Sequence, residues 1–275
     1  MNPLISYLAV LFLISTFFQS NAGAGEQEQF PKLEKAVEDV RTFYKGNKFK
    51  FLAEKEYKVR KYYYQIQSKS QRLKILKEVK GHFEKAVTKA EEKFDSGEEE
   101  VSQSSITKLK LGLAGTLNDI IELESDIKVA RFYLEEIFKK AYSSFAEMPD
   151  SEINPVAFKF NNYDTWFKIS GLASFFDLEK FANKSNNELI LKEGFQRIVE
   201  TREKLILARK NRKITRALLV SEVANYDFGI GDPGDLFEAL VIYSRVLGGY
   251  YDSVYNFNLA VAGLNLVKAS FLGKP

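Results

Sequence analysis

The stretch Asn225–Leu240, NYDFGIGDPGDLFEAL, separates two long runs of helix-forming residues. It concentrates three glycines, Gly229, Gly231 and Gly234, and three aspartates, Asp227, Asp232 and Asp235. Such a composition suits either a ligand loop or a tight turn. As a phosphate loop it fails, because GIGDPG lacks the Gly-Lys-Ser/Thr ending and follows no strand. As a calcium loop it fails too, because the aspartates do not fall at alternate positions. The Asp-Phe-Gly triplet matches one kinase metal motif, yet the only histidine, His82, is followed by Phe83 and not by Arg-Asp. The turn reading accounts for each residue. Gly229 and Gly231 can take positive φ after a helix end. Pro233 stops the preceding helix, and Asp235 can cap the next one with Glu238 as its capping-box partner.

Downstream of the turn, Leu236, Leu240, Tyr243, Leu247, Tyr250, Val254, Phe257, Val261 and Leu264 are spaced alternately four and three. This is a sustained heptad stripe. A second, smaller stripe of the same period runs beside it through Ala239, Ile242, Val246, Gly249, Ser253, Asn256, Ala260 and Gly263. Small residues let another backbone approach closely. Two seams imply a helix flanked on both sides, as in a wall or barrel of helices; the broad apolar face of an ordinary bundle helix would look similar.

The pattern recurs upstream. KFDSG at 93–97 repeats the aromatic, Asp and Gly of NYDFG at 225–229, so Asp95 and Gly97 match Asp227 and Gly229. Moving the large stripe back 130 places lands on Ile106, Lys110, Leu113, Leu117, Ile120, Glu124, Ile127, Arg131 and Leu134, six of them apolar. Helix formers dominate Phe30–Phe94, Val101–Ala146 and Glu188–Asn225. The expected fold is mainly α: two long antiparallel coiled-coil hairpins in tandem repeat, over 25–150 and 177–275. Between them, at 151–176, alternation from Thr165 to Phe176 suggests a strand, with Pro155–Phe160 able to pair with it across Asn161 and Asn162. That hairpin reads equally as a tilted membrane-barrel strand pair or as a short cap on the helices.

Residues 1–24 resemble a cleaved signal peptide, with an apolar run Leu4–Phe18 and small residues at Ala22 and Ala24. There are no cysteines, which excludes thiol catalysis and thiolate zinc sites. With 40 basic and 37 acidic residues, nucleic acid is not an expected partner. A lone His82 supports neither a triad nor a multi-histidine metal site, and no carboxylate pair stands out. No catalytic residue, cofactor or metal is therefore expected. The basic run ARKNRKITR, with Arg209, Lys210, Arg212, Lys213 and Arg216, reads as a solvated helix face, or as a contact for an acidic partner or an anionic headgroup. Tyr62, Tyr63 and Tyr64 read as packing or interfacial aromatics.

Over Glu200–Leu266 the chain resembles the TolC family of outer-membrane efflux proteins. The resemblance rests on Tyr226, Gly229, Asp235, Leu236 and Ala239, then Tyr255, Asn258, Ala260 and Leu264. HFEKAVTKAEEKFDSGEEEVSQ through VARFYLEEIF is similar to the first repeat, and NYDTWFKISGLASFFDL to the strand entering the second long helix. The resemblance implies a homotrimer whose helices form a periplasmic tunnel beneath an outer-membrane barrel. It places Asp95, Gly97, Tyr226, Asp227, Gly229, Asp232 and Asp235 at helical tips, where a periplasmic adaptor and an inner-membrane pump dock. Ala239, Gly249, Ser253, Ala260 and Gly263 become a packing seam. The family carries two strand hairpins per chain, whereas this sequence offers one; NKFKFLAEKEY is a poor second. A passive efflux or export duct is thus one reading, and a barrel-less periplasmic scaffold or adaptor is the other.

Overall fold

The computed structural model describes residues 30–97, 101–142, 152–176 and 181–272. The expected signal peptide lies outside the described residues. Helix α1 (Leu33–Phe43) leads into α2 (Phe49–Asp95), which turns back into α3 (Gln103–Phe138). Two short helices, α4 (Tyr163–Ile169) and α5 (Ala173–Phe176), precede the second hairpin of α6 (Phe181–Asp227) and α7 (Pro233–Leu272). At 47 residues each, α2 and α6 are roughly 70 Å long by the helical rise of 1.5 Å per residue.

Helices this long are not held by propensity. They are held by what they pack against. Helix α3 lies along α2, α2 along α7, and α7 along α6, so the lateral order is α3–α2–α7–α6. The tandem coiled-coil hairpins expected from the sequence are therefore present. All nine residues of the large stripe on α7 are buried. The central position of α7 explains this, because neighbours on two sides cover a face wider than a single seam.

The stripe transferred to α3 is only half right. Ile106, Ile120 and Leu134 are buried, but Lys110 and Leu117 are exposed. The second buried row instead comprises Leu109, Thr116, Leu123, Ala130 and Ile137, three residues after Ile106, half-buried Leu113, Ile120, half-buried Ile127 and Leu134. Helix α3 is an edge helix with α2 as its main partner, so it needs one seam. In that setting the three-residue neighbour, not the four-residue one, faces inward.

The expected β-hairpin is not formed, and among the described residues there is no strand. Thr165–Ile169 belongs to α4. Asn162 caps that helix, its side-chain oxygen accepting from the Thr165 N–H at 2.8 Å. Trp166 is buried, while Ile169, the last residue of the helix, is exposed. Residues 152–160 form no helix or strand. Side chains take up their backbone groups instead. Buried Asn258 accepts from the Val156 N–H and donates to the Asn154 carbonyl, both at 2.8 Å. Arg202 donates to the carbonyls of Phe158 and Phe160 at 3.1 and 2.9 Å. A backbone satisfied in this way has no need of a sheet.

The apolar core has two main parts. One, away from the turns, joins α1, the 152–160 segment and α4 to the long helices around Tyr63, Trp166, Phe195 and Phe257. The other lies toward the turns, around Phe83, Ala90, Tyr226 and Leu240. Helix α1 is tied on by a two-point ion pair, Arg41 Nε to Glu56 Oε1 at 2.7 Å and Nη2 to Oε2 at 2.8 Å.

Candidate functional site: the two helical tips

Both long descending helices end the same way. Gly97 and Gly229 share a φ of +81°, a left-handed conformation that L side chains rarely adopt. After α6 the Ile230 N–H bonds to the Asn225 carbonyl at 3.0 Å and the Gly229 N–H to the Tyr226 carbonyl at 3.1 Å. This is the Schellman arrangement. After α2, Gly97 N–H bonds to Phe94 O at 3.1 Å, and the Ser96 hydroxyl donates to Lys93 O at 2.9 Å. The repeat seen in the letters is thus a repeat of backbone geometry.

Gly231 differs from its expected role. It does not take positive φ; instead a Cβ there would lie 2.7 Å from the Tyr226 nitrogen. Its glycine is required by close approach to the end of α6. The N-cap of α7 is also Asp232 and not Asp235. Asp232 Oδ1 accepts the Gly234 N–H at 2.5 Å, and its carbonyl accepts the Leu236 N–H at 3.2 Å. Pro233 follows as the first helical residue, where its missing N–H costs nothing. That leaves Asp235 in the first turn, favourably placed toward the positive helix end.

The two tips sit side by side. Lys89, from α2, donates to the Tyr226 and Asp227 carbonyls, both at 2.8 Å, and its ammonium lies 5.2 Å from the Tyr226 ring centroid. The Tyr226 hydroxyl donates back to the Ala86 carbonyl at 3.0 Å. Tyr226 is buried and joins the two tips. Burial, with the Asp227 carboxylate second, pushes its phenol up to about 12. Asp95, Gly97, Asp227, Asp232 and Asp235 are exposed, and Gly229 is half-exposed.

Sequence reasoning missed two residues here. Phe228 and Ile230 flank Gly229 and are 81% and 79% exposed. Large apolar side chains on both sides of a C-terminal glycine are unusual for a solvated turn, and that was the available signal. The small seam is also more divided than expected. Ala239 is buried in the tip core, whereas Gly249 faces open space. Ser253, Ala260 and Gly263 line a groove of about 770 Å³ beside α6. Among the described residues no cluster of three His, Cys, Asp or Glu side chains is placed to hold a metal, and no helix is long and apolar enough to cross a membrane.

The described residues form tandem helical hairpins with paired glycine tips and a row of four long helices, a fold shared with solved structures. The chain is similar to the outer-membrane channel OprN, with a TM-score of 0.58 at 11% identity over 86% of this chain and 70% of that one. It is similar to the Campylobacter jejuni CmeC outer membrane channel at TM-score 0.58 and 10% identity, over 86% of this chain and 66% of that one. It also matches CusC, described in terms of folding and transmembrane channel formation, at TM-score 0.58 and 10% identity over 87% and 92% of the two chains. By sequence, no family model and no curated protein matches. The chain shares the helical fold of TolC-like outer-membrane channels.

Proposed function

We propose that the chain is a passive component of an efflux or export duct, exported to the outer membrane or periplasm and assembled as a homotrimer. The observation that carries this reading is the state of the two edge helices. Helix α3 exposes Leu111, Leu117, Ile121, Val129 and Phe132, and α6 exposes Leu207, Ile214 and Leu218. Contiguous apolar rows on exposed helices call for a partner. The central helices α2 and α7 are covered on both lateral sides. An α3 edge meeting the α6 edge of the next copy continues the wall and can close it into a ring.

On this reading the tips face an adaptor, with Phe228 and Ile230 as apolar anchors and Asp95, Asp227 and Asp232 as polar surroundings. A separate pump supplies energy, and no enzymatic step is assigned to this chain. A second reading, a barrel-less periplasmic scaffold, draws support from the 152–176 connector, whose described residues are helical or pinned coil.

The natural absence of cysteine permits a clean test. Ile121→Cys with Ile214→Cys should give intermolecular disulfides that stop at the trimer, in protein that resists carbonate extraction from outer membranes. Monomer alone would sink the ring. Trimers that extract as soluble protein would favour the scaffold.

A further inference from the structure

A groove of about 780 Å³ opens between α6 and α7, within the size range of small-molecule sites. Arg209, Arg212, Lys213 and Arg216 line it, together with Val220 and Tyr250. The spacing explains the convergence: positions 209, 212, 213 and 216 fall on one helical face. Tyr250, buried in the large stripe of α7, supplies an aromatic wall, and the Arg212 guanidinium lies 4.7 Å from its ring centroid. None of the four cations is ion-paired with a carboxylate among the described residues. Elsewhere on the surface such pairs are common, as with Lys77–Glu124 and Lys110–Glu91. Four like charges within about two helical turns repel one another, and an anion relieves that repulsion.

We propose that this groove binds a small amphiphilic anion, its acidic group held by Arg209, Arg212, Lys213 and Arg216 and its apolar body laid against Val220 and Tyr250. The mixed lining separates this ligand from its simpler alternatives. A bare inorganic anion would leave the apolar wall unused, and a neutral hydrophobe would leave the cations unpaired. Arginine provides paired donors suited to carboxylate, sulfonate or phosphate. The inference is independent of the duct reading, since it needs only the α6–α7 pair.

The test uses the full chain and 1-anilinonaphthalene-8-sulfonate as the probe. Fluorescence titration should show one saturable site, weakened about tenfold or more in R212Q/R216Q and less in R212K/R216K, which keeps the charges but loses the paired donors. Circular dichroism melts establish that each variant is folded. Vesicles of anionic and of zwitterionic phospholipid, tested by flotation, distinguish a lipid headgroup from a free anion as the source. Undiminished probe binding by R212Q/R216Q overturns the proposal. So does equal binding of uncharged N-phenyl-1-naphthylamine, or sulfate matching the probe in affinity. Loss of oligomer in R212Q/R216Q, with no probe competition in the wild type, would assign the groove to another copy and also overturn it.

Discussion

The Lys89 ammonium and the Tyr226 hydroxyl form a reciprocal tie: each side chain bonds to the other's helix backbone, Lys89 at 2.8 Å to Tyr226 O and Tyr226 at 3.0 Å to Ala86 O. The ammonium also sits at the negative end of the α6 dipole. The tie joins the first hairpin to the second next to both turns.

Lys89→Met keeps the alkyl stem and removes the charge, and it should cost about 1 kcal/mol, the scale of a charge-assisted bond at a helix end. Tyr226→Phe should cost a similar amount, about 1 kcal/mol, because it removes the hydroxyl's bond to the Ala86 carbonyl, which keeps only its intrahelical partner. Urea unfolding of the two single variants and the double variant measures the coupling. Strict additivity would show that the two bonds act separately.

The position of the α7 cap gives a sharper discrimination. Asp232→Ala removes the side-chain acceptor of the Gly234 N–H and should lower stability by about 1 kcal/mol. Asp235→Ala removes only a dipole contact, worth about 0.3–1 kcal/mol at low salt and less when screened. Thermal melts at low and high salt compare them. An Asp235 variant that is the weaker of the two at high salt would restore the capping box that the geometry rejects.

This cap shows how far the sequence could be read. The heptad through Leu236 and Leu264 was legible because burial on two sides enforces the period over about eight turns of helix, a length at which the helical repeat dominates. Asp232 and Asp235 were not separable, since both stand before a helical run and both have acceptor side chains. The α4 region failed for a related reason. Over Thr165–Phe176 a short helix and a strand give overlapping apolar alternation, and Asn162 three residues before Thr165 was the overlooked cap signal. The basic face at 209–216 was visible as charge, but its convergence on Tyr250 depends on how α6 rotates against α7. Nothing in the linear spacing sets that rotation.

Alkaline pH should loosen the tips and the wall together. The phenols of Tyr226 and Tyr243 are each pushed up to about 12 from an ordinary 10, mainly by burial, with Asp227 and Glu78 adding to the effect. Between those values the folded chain holds protons that the unfolded chain has lost. Stability is therefore full below pH 10 and falls as pH rises toward and through 12. Urea midpoints across this window should decline less steeply in Tyr226→Phe and in Tyr243→Phe. A slope unchanged in both variants would remove these tyrosines from the alkaline transition.

The outer seam of α7 separates folding from assembly. A Cβ at Gly249 would meet nothing within 4 Å, and at Gly263 its nearest neighbour is Tyr57 Cε2 at 4.0 Å. Neither glycine has positive φ, so within a single chain a Cβ fits at both positions. Gly249→Ala should even stabilise α7 by about 1 kcal/mol, the difference in helix propensity. Gly249→Leu and Gly263→Leu should keep wild-type helicity by circular dichroism and still reduce crosslinked oligomer, if another chain approaches this face. The two measurements must diverge for that conclusion. Both variants assembling like wild type would leave α7 bare in the complex and place copy-to-copy contact on α3 and α6 alone.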